Sequence, residues 1–441
     1  MLHTDQISVA RHLGAGKIGL EKEGLRITRS GFMAQTRDPF VGDPCIVRDF
    51  CENQTEINTP VCNTVHDAME CLDQCTKRIW KTLRRLPEPE LLWPFSNPPY
   101  IRMEADIPVA QYDGKERHKT EYRNYLAERY GKYKMTFSGI HFNYSFSDEL
   151  LRAEYEARRS RGGESNVLAK NEGVGEAEPS YKEFKNAFYV SLAAKALAYN
   201  WLIVAATAAS PLLDCSYVEK GKWGRDVFNG MGSTRCSELG YWNFFTPVLD
   251  YSSLEAYADS VMNYISYGLI KSSSELYFPI RLKPPGKYDI GRLREEGVSH
   301  IELRMIDLNP LTPVGLDERD AEFIRLLLIY LASLPDKDFP ARDQIQAIQN
   351  TKNAARYDLK TVNIVLPEEE SIDAVSAALR VIEEMRQFYR GIEANMGEVE
   401  SILQYQADKF EDPEKRYAWQ LRKEYSEGFV EKGLELALQY A

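Results

Sequence analysis

The chain has 441 residues, 44% of them apolar, which is ample for a large packed core; length alone suggests two or three domains, although a single sheet in an α/β or α+β enzyme also reaches this size. Its 55 Lys and Arg against 66 Asp and Glu leave a net charge of -11. That balance excludes a broad nucleic-acid footprint and an attraction to anionic membrane surfaces, and an anionic ligand would have to be met through metal ions and a few placed arginines.

The N-terminal run MLHTDQISVARHLGAG lacks the apolar core of a signal peptide. Gly14-Ala15-Gly16-Lys17 is too short for a phosphate-binding loop and leads into a strand-like segment. Along residues 17–26 alternation puts Ile18 and Leu20 on one side and Glu21 and Glu23 on the other. Residues 49–60 bring Asp49, Glu52 and Glu56; Asp49 and Glu56 have opposite parity, so both reach one site only if the chain turns near Glu52-Asn53. Apolar residues from Val65 to Leu86 recur at helical spacing, with Asn63 or Thr64 as the cap and Pro87 as the stop. Cys75 lies on that stripe and reads as a core thiol. The seven cysteines form no C-x-x-C pair and are expected to be free thiols in a reducing cytoplasm.

Further along, residues 138–146 place Ile140, Phe142, Tyr144 and Phe146 toward a core and His141, Asn143 and Ser145 away from it. Residues 153–180 are rich in Glu, Arg, Gly and Ser with little periodicity, and read as a solvated insertion or mobile loop. The apolar stretch 188–213 is broken by Lys195, Asn200 and Ser210-Pro211, so it reads as a buried helix over 188–209 and not as a membrane span. In residues 275–283, Tyr277, Arg281 and Lys283 share a face opposite Leu276, Phe278 and Ile280. In residues 300–305, Glu302 and Arg304 lie opposite Ile301, Leu303 and Met305. More helices are expected at 322–334, 372–389 and 416–440, with a joint near Leu366-Pro367. The pattern is α+β, with one curved, mainly antiparallel sheet backed by helices in a single domain over 1–441, ending in a helical segment at 368–441.

The charged faces of these strands are dominated by Glu21, Glu23, Asp49, Glu56 and Glu302. Such a cluster without cations repels itself and implies bound metal, and magnesium takes carboxylates together with waters and substrate phosphates. Exchange of Glu21, Glu23 or Glu302 for Gln is then expected to relieve repulsion and to preserve or raise the melting temperature. Arg304 and Arg281 on the same faces would suit a metal-bridged triphosphate.

The segments IGLEKEGLRIT, DFCENQTEINTP, WPFSNPPYI, KTEYRNYLAERYG, SGIHFNYSF, STRCSELGYWN, ELYFPIR and IELRMIDLNPLTPVGLD resemble the ordered motifs of bacterial glutamate–cysteine ligases, across about two-thirds of the chain. The resemblance implies a glutamine-synthetase-like funnel in which ATP phosphorylates the γ-carboxylate of L-glutamate and the amine of L-cysteine displaces phosphate. It implies magnesium, or manganese in its place, held by Glu21, Glu23, Asp49, Glu56, His141 and Glu302, with Glu302 and Arg304 as the catalytic pair. Arg304 would contact the transferring phosphate, and Tyr277 and Arg281 would face the nucleotide. Phe50, Tyr122, Arg123, Arg235 and Tyr241 would line the amino-acid pockets, with Cys236 as packing. Its partners would be small molecules, without nucleic acid, membrane or protein. The chain shows no room for the ATP-grasp domain of bifunctional glutathione-making enzymes, so only the dipeptide is expected. A ligase with another amine acceptor, and a non-catalytic binding protein of the same fold, are the competing readings.

Overall fold

A computed structural model describes residues 1–168, 179–366, 371–392 and 396–441. The strands β1 (Gly16–Thr28), β2 (Ile46–Arg48), β3 (Gln54–Asn58), β4 (Glu90–Leu92), β5 (Gly139–Phe146), β6 (Ile280–Lys283) and β7 (His300–Asp307) form one seven-stranded sheet. Every pairing in it is antiparallel, in the order β2-β3-β1-β5-β7-β6, and β4 joins the far end of β1. The sheet therefore ends in two edges and closes no barrel.

Burial fixes its register. Ile18, Leu20, Ile140, Phe142, Tyr144, Leu282, Ile301 and Leu303 are buried, packed in one core with the helices Val65–Leu83, Tyr181–Thr207 and Glu318–Ser333. Each such side chain contributes roughly 1.5–3 kcal/mol on burial. A one-residue slip would expose that whole set and bury the acids, so the acidic face is held toward the other side. The expected reversal between Asp49 and Glu56 is the hairpin joining β2 to β3. Arg26, fully buried, braces it by donating to the Glu52 carbonyl at 2.9 Å while pairing with Glu90 at 2.7 Å.

A second core gathers Leu25, Ile27, Trp93 and Phe95 under the C-terminal helices Tyr417–Tyr425 and Phe429–Tyr440. The Phe429 ring lies 5.0 Å from that of Phe95.

Several expectations need correction. The polar stretch 153–180 is helical through Leu168, as the end of the helix Asp148–Leu168; residues 169–178 lie outside the described residues. Ion pairing, which leaves no apolar period, stabilises that helix: buried Glu154 accepts from the His3 amide at 2.8 Å and from Arg158 at 2.7 Å. The helix expected at 416–440 is two helices, separated at Glu427 (φ 64) and Gly428 (φ 119). The helix expected from residue 372 begins at Ala374, because Ser371–Asp373 pairs with Asn363–Val365; the joint at 367–370 lies outside the described residues. Helices at 188–209 and 322–334 begin earlier, at Tyr181 behind a Ser180–Glu183 capping box and at Glu318 behind Asp317. Only residues 280–283 of the 275–283 segment form a strand, since Pro279 has no amide to donate.

Candidate active site

The acidic face and the segments beyond the sheet enclose a cavity of about 730 Å³. Every residue that the family resemblance assigns to metal, nucleotide, catalysis or the amino-acid pockets lines it: Glu21, Glu23, Asp49, Phe50, Glu56, Tyr122, Arg123, His141, Arg235, Tyr241, Tyr277, Arg281, Glu302 and Arg304.

Register builds the first acidic group. Glu21 on β1 pairs with His141 on β5, and Glu302 on β7 pairs with Asn143 on β5. Ligand atoms of Glu21, His141 and Glu302 all lie within 4.8 Å of one another, a candidate metal site. His141 Nδ1 is 2.8 Å from Glu21 Oε2 and 3.7 Å from Glu302 Oε1. Burial, then the Arg304 charge, lowers the His141 pKa and favours the neutral imidazole that can act as a ligand.

Glu23 lies directly opposite Glu56 on β3, a like-charge cross-strand pair that is destabilising without compensation. Asp49 on the neighbouring hairpin completes the second group. Burial and the Asp49 charge push the Glu23 carboxyl up to about 8. Burial, then Asp49, Glu21 and Glu23, puts Glu56 well above the carboxylate range. Glu23 Oε2 also accepts from the Gly139 amide at 2.9 Å. His141 Nε2 stands 3.8 Å from Glu23, so the imidazole bridges the two groups.

Glu302 corrects the expectation of acids without cations. Burial alone would raise its pKa, but Arg304 at 3.2 Å, Lys283 at 3.2 Å and Arg281 at 3.6 Å hold it well below the usual range. Even so, the buried Glu302 Oε2 has no hydrogen-bond partner. Lys283 was placed on this face by alternation and given no role; its ammonium reaches Glu302.

The opposite wall is aromatic. Tyr241 and Tyr277 rings are 3.9 Å apart, and Tyr130 lies 5.2 Å from Tyr277. Tyr277 and Tyr241, expected at different ends of the site, therefore share one wall. Arg123 Nε donates to the Asp49 carbonyl at 2.5 Å. Arg235 donates to the Arg304 main-chain carbonyl at 2.9 Å, so these two residues are neighbours. Sequence reading missed Glu275, which is fully buried and accepts from Tyr130 at 2.8 Å, Tyr125 at 3.2 Å and the Lys271 amide at 2.6 Å. It ties the helix Arg117–Tyr130 to the segment carrying Tyr277. It also missed the cavity-lining His118, Lys119, Lys134, Lys271 and Lys287. These sit on a helix and loops where no alternation marks a face. Cys236 is buried, its thiol pushed up to about 12 by burial and Asp307, which suits packing and not nucleophilic attack.

The chain matches the family model described as glutamate-cysteine ligase over residues 3–268 and 242–354. It is 33% identical over 441 residues to the glutathione biosynthesis bifunctional protein GshAB of Listeria monocytogenes, covering 97% of this chain and 55% of that protein. It is 32% identical over 368 residues to a glutamate–cysteine ligase of Clostridium acetobutylicum, covering 72% of each. Among solved structures, a bifunctional glutathione synthetase from Pasteurella multocida superposes with a TM-score of 0.79 at 26% identity, covering 98% of this chain and 53% of that one. A glutamate–cysteine ligase from Francisella tularensis in complex with AMP shares the fold, with a TM-score of 0.80 at 21% identity over 97% of this chain and 88% of that one. The chain spans about half the length of the bifunctional relatives it matches.

Proposed function

The chain belongs to the glutamate–cysteine ligase family, and from that premise we propose that it joins the γ-carboxylate of L-glutamate to the amine of L-cysteine. ATP would be consumed, giving γ-glutamylcysteine, ADP and phosphate, the first step of glutathione biosynthesis. The observation that carries this reading is the pair of acidic groups bridged by His141, with three cations gathered on Glu302.

A divalent cation fits the donor set. The acids offer hard oxygens, the Glu302 Oε2 atom makes ion pairs with Arg304 and Arg281 but accepts no hydrogen bond, and Glu23 and Glu56 retain protons unless a positive charge replaces them. Glu21, His141 and Glu302 would hold one ion, and Glu23, Asp49 and Glu56 another. A magnesium ion held by these residues would supply positive charge to offset that of the phosphate oxygens during transfer.

The chain's own groups then divide the work. Arg304, with Lys283 and Arg281 beside it, faces the transferring phosphoryl group, where charge shifts in the transition state. Phe50, Tyr122, Arg123, Arg235 and Tyr241 shape the amino-acid pockets, with Tyr277 beside Tyr241 on the same wall. No protein nucleophile is called on: phosphate passes directly to the glutamate carboxylate, and the acyl phosphate is then open to attack by the amine. The test is ADP release from ATP and magnesium with glutamate fixed and the amine acceptor varied. Release that requires glutamate and is fastest with cysteine is expected. A preference for another amine would reassign the acceptor, and release independent of glutamate would end the proposal.

A further inference from the structure

Strand β7 carries one residue more than its partner where it faces the cavity. Leu303 pairs with Phe142 and Ile306 with Ile140, so Arg304 and Met305 together oppose His141. A bulge of this kind interrupts the ladder and re-aims the side chains on it. Its main-chain groups then need partners from elsewhere.

Arg235 supplies them. Its Nη2 donates to the Arg304 carbonyl at 2.9 Å and its Nη1 to the Ile306 carbonyl at 3.3 Å, on either side of Met305. The guanidinium occupies the space that a side chain at position 139 would fill. A Cβ on Gly139 would stand 2.2 Å from Arg235 Cζ. Across the ladder Gly139 pairs with Asp307, a residue only 2% exposed. Asp307 accepts from Ser233 Oγ at 3.0 Å, Ser210 Oγ at 2.7 Å and the Ala209 amide at 2.9 Å. Ser233 Oγ in turn accepts from the Cys236 amide at 3.1 Å, which closes the turn on which Arg235 stands. Two paired positions of the sheet thus seat one arginine, one by leaving space and the other by anchoring its turn.

We propose that Arg235 is a positioning residue for Arg304: it staples the β7 bulge from a slot left open by Gly139, on a turn held by Asp307. The inference rests on the ligase reading above, and it adds to the contact of Arg235 with the amino-acid pocket. An arginine that only bound a substrate carboxylate would act equally in ground and transition states and would show in one Michaelis constant. A staple on Arg304 acts through the group that meets the phosphoryl charge and shows in turnover.

Gly139→Ala is the discriminating variant, because its methyl displaces the movable end of Arg235 and deletes no charged group. It should lower kcat on the order of tenfold or more, with KM for ATP, glutamate and cysteine each within about threefold. Arg235→Ala and Arg235→Lys should lower kcat likewise, with any further rise confined to the Michaelis constant of the amino acid Arg235 meets, since an ammonium does not reproduce the planar guanidinium fork. Gly139→Ala should add little on an Arg235→Ala background, and Arg235→Ala little on an Arg304→Ala background. Effects on kcat that multiply, an unchanged kcat, or in Gly139→Ala a rise confined to one KM would overturn the proposal. Hydrogen exchange provides an arm free of turnover: amides of residues 304–307 should exchange faster in Gly139→Ala and Arg235→Ala than in the wild type. Unchanged protection there in Arg235→Ala would also overturn it. A wild type inactive with glutamate and cysteine would sink the ligase reading alone, and the exchange arm would still decide the staple.

Discussion

Glu23 and Glu302 lie on one cavity wall and are both carboxylates, yet their surroundings drive them in opposite directions. Burial and Asp49 push Glu23 up to about 8 from an ordinary 4.5, so folded protein without metal retains a proton that the unfolded chain releases earlier. Stability of the metal-free protein should therefore fall as pH rises from about 4.5 to about 8, and Glu23→Gln should flatten that slope in pH-dependent melting curves. Glu302 is held down by Arg304, Lys283 and Arg281 against the effect of burial, so its contribution is present at neutral pH and lost only on acidification. Glu302→Gln takes from those cations their directly paired carboxylate and should cost about 3 kcal/mol of stability, measurable by denaturant unfolding. A uniform gain on removing any one acid, as the sequence alone suggests, is thus expected at Glu23 and reversed at Glu302. Both exchanges should abolish most turnover at saturating magnesium. Arg304→Ala should lower kcat on the order of a hundredfold with smaller changes in the amino-acid Michaelis constants, and Arg304→Lys should recover only part of it. These residues were legible because alternation decides which side chains share a face. Glu275 was not, because its partners Tyr125 and Tyr130 come from a helix 145 or more positions away.

Between residue and fold, the elements that place the site were read most directly from the sequence. The strand faces of residues 17–26, 138–146 and 300–303 follow period two and need only one buried side to be fixed. The turn inside residues 49–60 was demanded by parity, and a hairpin supplies it. The β7 bulge was invisible, since it depends on how two strands pair and not on either sequence. Helix ends failed where spacing continued through a break. Apolar residues from Tyr417 to Tyr440 remain helical in spacing, but Glu427 and Gly428 take positive φ, and Asp226 accepts from the amides of Gly428 at 2.9 Å and Phe429 at 3.0 Å to cap the second helix. Gly428→Ala should cost about 1 kcal/mol through its left-handed backbone alone, lowering the melting temperature by about one degree and leaving kcat unchanged. A melting temperature equal to the wild type would mean that the break relaxes into one helix.

At the scale of the whole molecule, one sheet separates two chemistries. Its helix side buries the apolar half of every strand, and its cavity side collects the acids that this burial forces outward. The chain carries a net charge of -11, yet Lys119, Lys134, Lys271, Lys283 and Lys287 line the cavity. They offset locally a field that would otherwise repel an anionic nucleotide. On the proposed ligase reading, this cavity moves a phosphoryl group from ATP directly onto the side-chain carboxylate of glutamate. Glutamate carrying oxygen-18 in its γ-carboxylate, turned over with ATP, magnesium and cysteine, tests that most directly. One labelled oxygen should appear in the released phosphate for each peptide bond formed; label remaining wholly in the peptide and the unreacted glutamate would contradict the claim.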